Sequence, residues 1–218
     1  MSRGRWILLA AGLFAGLVAL ATALNSEWAA NLDTSVTDWF DAHRTRPRRL
    51  EADGVFGYIG RPVHVLIPAV LLGSLLSWRV RSVIPGLLVT FGVGLGAAVE
   101  TTFKALVGRT ATTLPLVDYP HSYPSGHVTG TAALLGMIAV CLGAGRGRAT
   151  RTALALMAVA GILFVAVLAL YTGAHTFTDV IGGMLLGGAI CSLGAAVLQT
   201  SATTSPATQD IRRAGARI

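Results

Sequence analysis

Two histidines and an aspartate are the residues of this chain best suited to nucleophilic and acid–base chemistry. His175 and Asp179 stand four positions apart at the predicted start of a helix, so their side chains share one helix face. A carboxylate in that position accepts a hydrogen bond from one imidazole nitrogen and leaves the other nitrogen free as nucleophile or base. Gly173, just before the helix, permits a tight turn and the close approach of a ligand. A helix-start aspartate paired with a structural histidine gives the same pattern.

The other histidine follows a helix-start signal. In the tetrapeptide Pro-Ser-Gly-His at 124–127, Ser125 is a favourable N-cap and His127 falls in the first helical turn. The backbone amides around this turn, including those of Ser125 and Gly126, point out of the helix, where the helix dipole favours an anion. An ordinary capped helix is the alternative.

Two cations stand five positions apart just beyond a long apolar run. Lys104 is the single lysine of the chain, and Arg109 follows it. Side chains of this length can reach one anion at the level of the lipid headgroups, or they can extend to the membrane surface for their own solvation. Glu100 lies four residues before Lys104 and could simply pair with it.

The elements that must position these residues are membrane-spanning helices. Hydrophobic residues make up 53% of the 218 positions and charged residues 12%, about half the charged share of a soluble domain. The net charge is +7, but the basic residues form short clusters between apolar runs, which argues against a nucleic-acid-binding protein. Cys141 and Cys191 each sit inside an apolar run, as small buried hydrophobic residues do. Six runs are long enough to span a bilayer, namely 6–24, 63–78, 83–103, 127–144, 152–172 and 177–198.

We therefore predict an all-α polytopic membrane protein with six transmembrane helices. Segment 26–43 has an apolar stripe at helical spacing, which suits an extracytoplasmic interfacial helix or an ordinary helix packed over the bundle. The stripe consists of Trp28, Leu32, Val36, Trp39 and Phe40, and three aspartates, Asp33, Asp38 and Asp41, lie elsewhere around the helix. We divide the chain into a first transmembrane helix with the interfacial helix (1–54), a transmembrane core (55–198) and a disordered cytoplasmic tail (199–218).

The distribution of basic residues predicts the orientation in the membrane. Ten arginines with one acid, Asp210, fall on the side of the termini, and seven basic residues with nearly all the acids fall on the other side. The positive-inside rule places the first side in the cytoplasm, so both termini are cytoplasmic and the candidate site residues face the extracytoplasmic side. For the first run, 6–24, a cleaved signal peptide is the alternative to an uncleaved span.

Together, the three motifs resemble the signature of the type 2 phosphatidic acid phosphatase (PAP2) superfamily of membrane lipid phosphatases. That signature is a lysine leading an Arg-Pro segment, then Pro-Ser-Gly-His, then Ser-Arg followed by a histidine and, four residues on, an aspartate. The matching residues here are Lys104, the tetrapeptide 124–127, and His175 with Asp179. The resemblance covers about residues 55–195 and implies a site between spans three and six.

The sequence departs from the family pattern at both motif arginines. The first position is Ala111, followed by Thr112 instead of proline, and the Ser-Arg of the third motif falls at Leu168 and Ala169. Arg109 matches a flanking arginine of some family members and could substitute as the anion clamp. Two further residues near the site could also compensate as donors, namely His121 and Tyr123.

The resemblance implies metal-free hydrolysis of a lipid phosphomonoester or a polyprenyl pyrophosphate. His175 would attack phosphorus to form a phosphohistidine, Asp179 would orient His175 and stabilise its charge, and His127 would protonate the leaving group and then activate water. The phosphoryl oxygens, over which charge spreads in the reaction, must meet preorganised donors. These donors would be Lys104, Arg109 and the amides of Ser125 and Gly126. The sequence has no cluster of carboxylates typical of a two-metal site, so neither metal nor cofactor is expected.

Two other functions stay open at this stage. The chain could be a non-catalytic relative that binds or translocates a phospholipid or polyprenyl phosphate, or a structural or assembly subunit of a larger membrane complex. The expected partners are the bilayer and a membrane lipid phosphate, and no nucleic acid is expected. The sequence does not indicate which lipid phosphate is bound or which oligomeric state the protein adopts.

Overall fold

The computed structural model describes residues 1–59, 62–110 and 122–203, and this part of the chain is all-helical. Six of its helices are long and apolar enough to cross a membrane, and each coincides with one of the six predicted runs, so the predicted fold is confirmed. The helices are α1 (Arg3–Ala23), α2 (Glu27–His43), α3 (Arg46–Ile59), α4 (Pro62–Val80), α5 (Ile84–Val107), α6 (Gly126–Gly143), α7 (Arg148–Thr172) and α8 (Phe177–Thr203). The spans are α1 and α4 to α8.

The candidate site residues and the chain termini lie at opposite ends of this bundle. Tyr123 Oη, just before α6, donates a hydrogen bond to the carbonyl of Leu17 near the end of α1 (2.8 Å). Gln199 Nε2, near the end of α8, donates to the carbonyl of Met1 (2.7 Å). The α5–α6 and α7–α8 connections therefore share one end with the end of α1, and we call this the site end.

Helix α8 is the central element of the bundle. Within Phe177–Gln199, 61% of the residues are buried, against 11% in α1. Helix α6 packs closely on α8 because α8 presents glycines to it: a Cβ added at Gly183 would lie 2.7 Å from the carbonyl oxygen of Ser125. Small residues let helix backbones approach closely in membrane proteins. The two helices that carry or adjoin the candidate histidines are thus held at short range.

Two shorter helices, α2 and α3, pack at the site end against α7 and, in the case of α2, α8. Helix α2 confirms the helix predicted over 26–43; Ala29 and Asp33 are buried, whereas Trp28 and Trp39 are more than half exposed. No helix was predicted for the region of α3. The segment has several arginines and few apolar residues, so its sequence does not indicate that Phe56 faces inward and is buried.

Some sequence predictions concern residues outside this description. Helix α8 continues to Thr203, past the start of the predicted tail at 199, and residues 204–218 lie outside the described residues. The segment 111–121, which includes Ala111, Thr112 and His121, also lies outside them.

Candidate active site

Two imidazole rings lie together at the site end. The ring centroids of His127 and His175 are 6.1 Å apart, and the ring planes are inclined by 64°. His127 belongs to the first turn of α6, whereas His175 lies in the turn between α7 and α8. Gly173 ends α7 with a φ of 75°, a left-handed conformation that favours glycine. The turn predicted at Gly173 is therefore present, and the fold brings together imidazoles from two distant motifs.

The carboxylate of Asp179 is fully buried beside His175. Its Oδ2 atom accepts a hydrogen bond from the backbone N–H of Thr176 (3.1 Å) and lies 3.7 Å from His175 Nδ1. That second separation exceeds a hydrogen bond, but such contacts are often long in ligand-free sites and tighten when substrate binds. The buried Nδ1 atom makes no hydrogen bond within the described part of the chain. Asp179 is therefore the carboxylate placed to pair with Nδ1 while Nε2 stays free.

The start of α6 differs from the sequence prediction in how Ser125 is used. Ser125 is the N-cap residue, but its hydroxyl makes no capping bond. Its backbone N–H donates to the carbonyl of Asp179 (2.9 Å), because α6 packs tightly on α8 there. In the arrangement observed this amide already has a protein acceptor, and its role in binding phosphate stays a prediction. The hydroxyl is fully buried and, among the described residues, has no hydrogen-bond partner, so it is the donor that Ser125 can offer to a ligand.

Lys104 and Glu100 form an ion pair beside the start of α6. The Nζ to Oε1 distance is 2.6 Å, so the pairing left open by the sequence is present. The carboxylate of Glu100 lies against Gly126, where an added Cβ would come within 2.7 Å of Oε2. Lys104 also interacts electrostatically with His127. A carboxylate thus stands next to the helix N-terminus that was predicted to bind an anion.

Arg109 is held between two carboxylates. Its Nη1 atom lies 2.9 Å from Asp179 Oδ1 and its Nη2 atom 2.6 Å from Asp33 Oδ2. Nη1 also donates to the hydroxyls of Thr178 (2.6 Å) and Thr176 (3.1 Å). Burial disfavours the charged guanidinium, but the two carboxylates outweigh burial and raise the pKa of Arg109 above its ordinary value. Both terminal nitrogens of the predicted phosphate clamp therefore face protein acceptors.

Two residues close to the site were not recognised from the sequence. Asp33 of α2 accepts hydrogen bonds from the backbone N–H (2.8 Å) and the hydroxyl (2.7 Å) of Thr178. Phe56 of α3 stacks on the ring of His127, with centroids 3.8 Å apart and planes within 10°. The Phe56 ring also lies 6.2 Å from that of His175. Helices α2 and α3 therefore contribute to the site as well as covering it.

A signal for Asp33 exists in the sequence. The prediction that Asp33 lies apart from the apolar stripe is wrong: it lies four residues after Ala29, three before Val36 and seven before Phe40, so it shares one helix face with all three and is buried. Burying an aspartate on an apolar helix face costs free energy, so an aspartate at such a position is a candidate functional residue. Phe56 had no comparable signal, because α3 as a whole was not predicted.

Tyr123 and Ala169 are both buried and make hydrogen bonds within the fold. Tyr123 is fully buried with its hydroxyl bonded to Leu17, and burial, reinforced by the charge of Asp179, raises the pKa of its phenol above the ordinary value. Ala169 is also fully buried, and its carbonyl accepts the N–H of His175 (3.4 Å). At this position, where the family pattern has arginine, the chain offers a methyl group. Among the described residues, no group of three His, Cys, Asp or Glu side chains could hold a metal ion.

Comparison with known proteins supports the fold and identifies the family. No curated protein matches the sequence. The chain is similar in fold to the first transmembrane PAP2 type phosphatidylglycerolphosphate phosphatase from Bacillus subtilis, with a TM-score of 0.75, 20% sequence identity, and coverage of 90% of this chain and 98% of that one. The family model of the PAP2 superfamily matches residues 85–202, which include nearly all of α5 to α8 and the imidazoles of His127 and His175. Since this match covers more than half of the chain, the protein is a multi-pass membrane protein that belongs to the PAP2 superfamily.

Proposed function

We propose that this protein is a metal-independent lipid phosphatase that hydrolyses a lipid phosphomonoester or a polyprenyl pyrophosphate through a phosphohistidine. The observation that carries the proposal is the 6.1 Å separation between the ring centroids of His127 and His175. In-line displacement at phosphorus needs a nucleophile on one side and an acid within reach of the leaving oxygen on the other. Two imidazoles at this distance can serve one phosphoryl group.

In the first step, Nε2 of His175 attacks phosphorus, and the bond from phosphorus to the leaving oxygen breaks. His127 donates a proton to that oxygen, so the leaving group departs as a neutral alcohol or a protonated phosphate. In the second step, His127 takes a proton from water, the water oxygen attacks phosphorus, and the phosphorus–nitrogen bond breaks to release inorganic phosphate. Asp179, 3.7 Å from His175 Nδ1, stabilises the positive ring of the intermediate.

Lys104, the Ser125 hydroxyl and the amide of Gly126 are the donors we assign to the phosphoryl oxygens. Support comes from the buried, unpartnered hydroxyl of Ser125 and from the position of Lys104 beside the start of α6. The Glu100 carboxylate against Gly126 would have to move for an anion to reach this helix end. Arg109, the fourth predicted phosphate ligand, would bind phosphate only by giving up one of its carboxylate partners.

A bilayer lipid is a better candidate substrate than a water-soluble phosphate, because both imidazoles lie at one end of a bundle of membrane-spanning helices. The Bacillus subtilis protein of similar fold is a phosphatidylglycerolphosphate phosphatase. At 20% identity this likeness extends to the fold, and it makes phosphatidylglycerol phosphate one member of an assay panel. The other members are phosphatidic acid, diacylglycerol pyrophosphate and a polyprenyl pyrophosphate.

One observation favours a second function, binding of a lipid phosphate without hydrolysis. Ala169 occupies the position of a family arginine that would hold phosphate, and it is buried. Losing one such donor costs on the order of 10²–10³ in rate. A chain that has lost this donor without replacement would bind its lipid and release little phosphate.

Phosphate release from the lipid panel, in detergent and with a chelator present, tests the proposal. We expect release from at least one lipid, loss of release in His175→Ala, and strongly reduced release in His127→Ala, which lacks the acid of the first step and the base of the second. His43→Ala, which removes an exposed imidazole on α2, is the matched control and should keep the wild-type rate. Lipid binding without release by the wild type would support the second function instead. Release that persists in His175→Ala would exclude the proposed nucleophile.

We further propose that the site end faces the extracytoplasmic side, because the end with the termini carries ten basic residues and one acid, whereas the site end carries seven basic residues and nearly all the acids. Single cysteines at two exposed positions test this in a background with Cys141 and Cys191 changed to alanine. Asn25→Cys, at the site end, should react with a membrane-impermeant thiol reagent in intact cells, and Arg146→Cys should react after permeabilisation. The opposite labelling pattern would invert the topology.

A further inference from the structure

We propose that Asp33 is a positioning residue of this site: it holds Arg109, Arg109 holds Asp179, and Asp179 holds His175. The inference rests on the proposed phosphatase function. It assigns to the α2 helix, which lies outside the family-matched region, a part in arranging the catalytic residues.

A series of contacts between charged side chains leads from Asp33 to His175. Asp33 Oδ2 lies 2.6 Å from Arg109 Nη2, and Arg109 Nη1 lies 2.9 Å from Asp179 Oδ1. The other oxygen of Asp179 is the one that lies 3.7 Å from His175 Nδ1. Each of the two aspartates is at most 5% exposed, so solvent screens these interactions little. The planar guanidinium can contact both carboxylates at once, whereas a lysine ammonium is a single point charge.

Asp33 is itself fixed to the helix that carries Asp179. Both oxygens of Asp33 accept hydrogen bonds from Thr178, one from its backbone N–H (2.8 Å) and one from its hydroxyl (2.7 Å). Thr178 is the residue directly before Asp179. Asp33 therefore holds the first turn of α8 from two sides, through Thr178 and through Arg109, and this restrains the carboxylate of Asp179.

The net charge of Asp33, Arg109 and Asp179 suits a positive ring at His175. Asp33 and Asp179 carry two negative charges and Arg109 one positive charge, so the group as a whole carries one negative charge. A positive charge on the His175 ring, as in the phosphohistidine, makes the group neutral. Without Asp33, Arg109 and Asp179 would already neutralise each other, and the positive ring would lose its counter-charge. Charges arranged in advance for the transition state are an effective source of rate acceleration.

Asp33→Asn tests the proposal, because it keeps the shape of the side chain and removes its charge. We expect kcat to fall roughly tenfold to hundredfold, the usual effect of losing a residue that orients a site ligand. KM should stay nearly constant, because the phosphate donors at α6 are separate from Asp33. Asp38→Asn, on the exposed face of the same helix, is the charge-matched control and should retain the wild-type kcat. Arg109→Lys should lower kcat as Asp33→Asn does, since lysine cannot contact both carboxylates at once.

A double variant separates positioning from simple destabilisation. In an Asp179→Asn background, addition of Asp33→Asn should lower kcat much less than it does in the wild type, because Asp33 acts mainly through Asp179. A wild-type kcat in Asp33→Asn, or an equal further loss in the Asp179→Asn background, would overturn the proposal. Thermal unfolding of each variant in detergent identifies a loss of kcat that follows from unfolding at the assay temperature.

A readout without turnover distinguishes this inference from the proposed function. The imidazole ¹⁵N signals of His175, identified by their loss in His175→Gln, should move in Asp33→Asn and stay in place in Asp38→Asn. If the wild type releases no phosphate from any lipid, the proposed function fails, and these signals still decide whether Asp33 acts on His175. Unmoved signals in Asp33→Asn would refute the positioning role.

Discussion

The spacing between α6 and α8 offers a sharp test of the site, because one substitution can change it by a known amount. A Cβ at Gly183 would lie 2.7 Å from the carbonyl oxygen of Ser125, whereas ordinary van der Waals contact begins near 3.4 Å. The atom it meets is backbone, so no side-chain rotation relieves the overlap. Gly183→Ala should therefore separate the two helices locally by roughly 0.7 Å, a little less than the 1 Å misplacement that can cost 10²-fold in rate.

The consequence for catalysis follows from what Ser125 touches. Its backbone N–H donates to the carbonyl of Asp179 (2.9 Å), so displacing Ser125 stretches the bond that joins the two histidine-bearing segments. We expect Gly183→Ala to lower kcat by roughly tenfold to hundredfold. Overpacking should also destabilise the fold by about 1–3 kcal/mol. Phosphate release and thermal unfolding in detergent measure the two effects.

Two controls make the result interpretable. Gly94→Ala places a methyl group where no atom lies within 4 Å and should change neither measurement by much. Gly187→Ala brings its Cβ against that of Ala132, one turn deeper between the same helices, and Ala132→Gly should relieve this overlap. No such partner substitution exists for Gly183. A wild-type kcat in Gly183→Ala would refute the idea that the α6–α8 spacing sets the rate.

Three further predictions concern the site itself. Phe56→Ala removes the ring stacked on His127 and should lower kcat roughly tenfold, whereas Phe56→Tyr should keep the wild-type kcat. Phosphate release by the two variants tests this prediction. Lys104→Gln should lower kcat/KM roughly a hundredfold by removing a phosphate donor, and an unchanged value would remove Lys104 from the site. The rate should fall on both sides of an optimum between about pH 5 and pH 9, because His127 must be protonated while His175 is neutral; a flat profile would contradict that division of roles.

The sequence predicted the spans because their cause is local. Exposing a run of about 20 apolar residues to water costs free energy. In lipid the same run forms the hydrogen bonds of its own backbone as a helix, whatever its neighbours are. The six predicted runs accordingly coincide with six helices. Helix α3 was missed because its residues are mostly polar and a single large side chain, Phe56, turns inward to meet the site. Such a contact has no periodic signal in the sequence.

The sequence identified candidate site residues but, except for neighbours on one helix, it did not predict which groups they bond to. The ion pair between Lys104 and Glu100 was foreseen because residues four apart on a helix are neighbours. The partners of Arg109 were not foreseen, because Asp33 is 76 positions away and Asp179 is 70 positions away. The use of the Ser125 amide was missed for the same reason, since its acceptor is the carbonyl of Asp179 on another helix.

By itself, the amino-acid sequence determined the six membrane-spanning helices, since hydrophobic length is a property of the chain alone, and its motifs carried the resemblance to the PAP2 superfamily. Only the tertiary structure decided that His127 and His175 lie 6.1 Å apart and that Arg109 is held by two carboxylates. The physical reason is that these distances depend on how closely α6 packs on α8 and on where α2 lies at the site end. Both are set by contacts between residues far apart in the chain, and no local pattern encodes them.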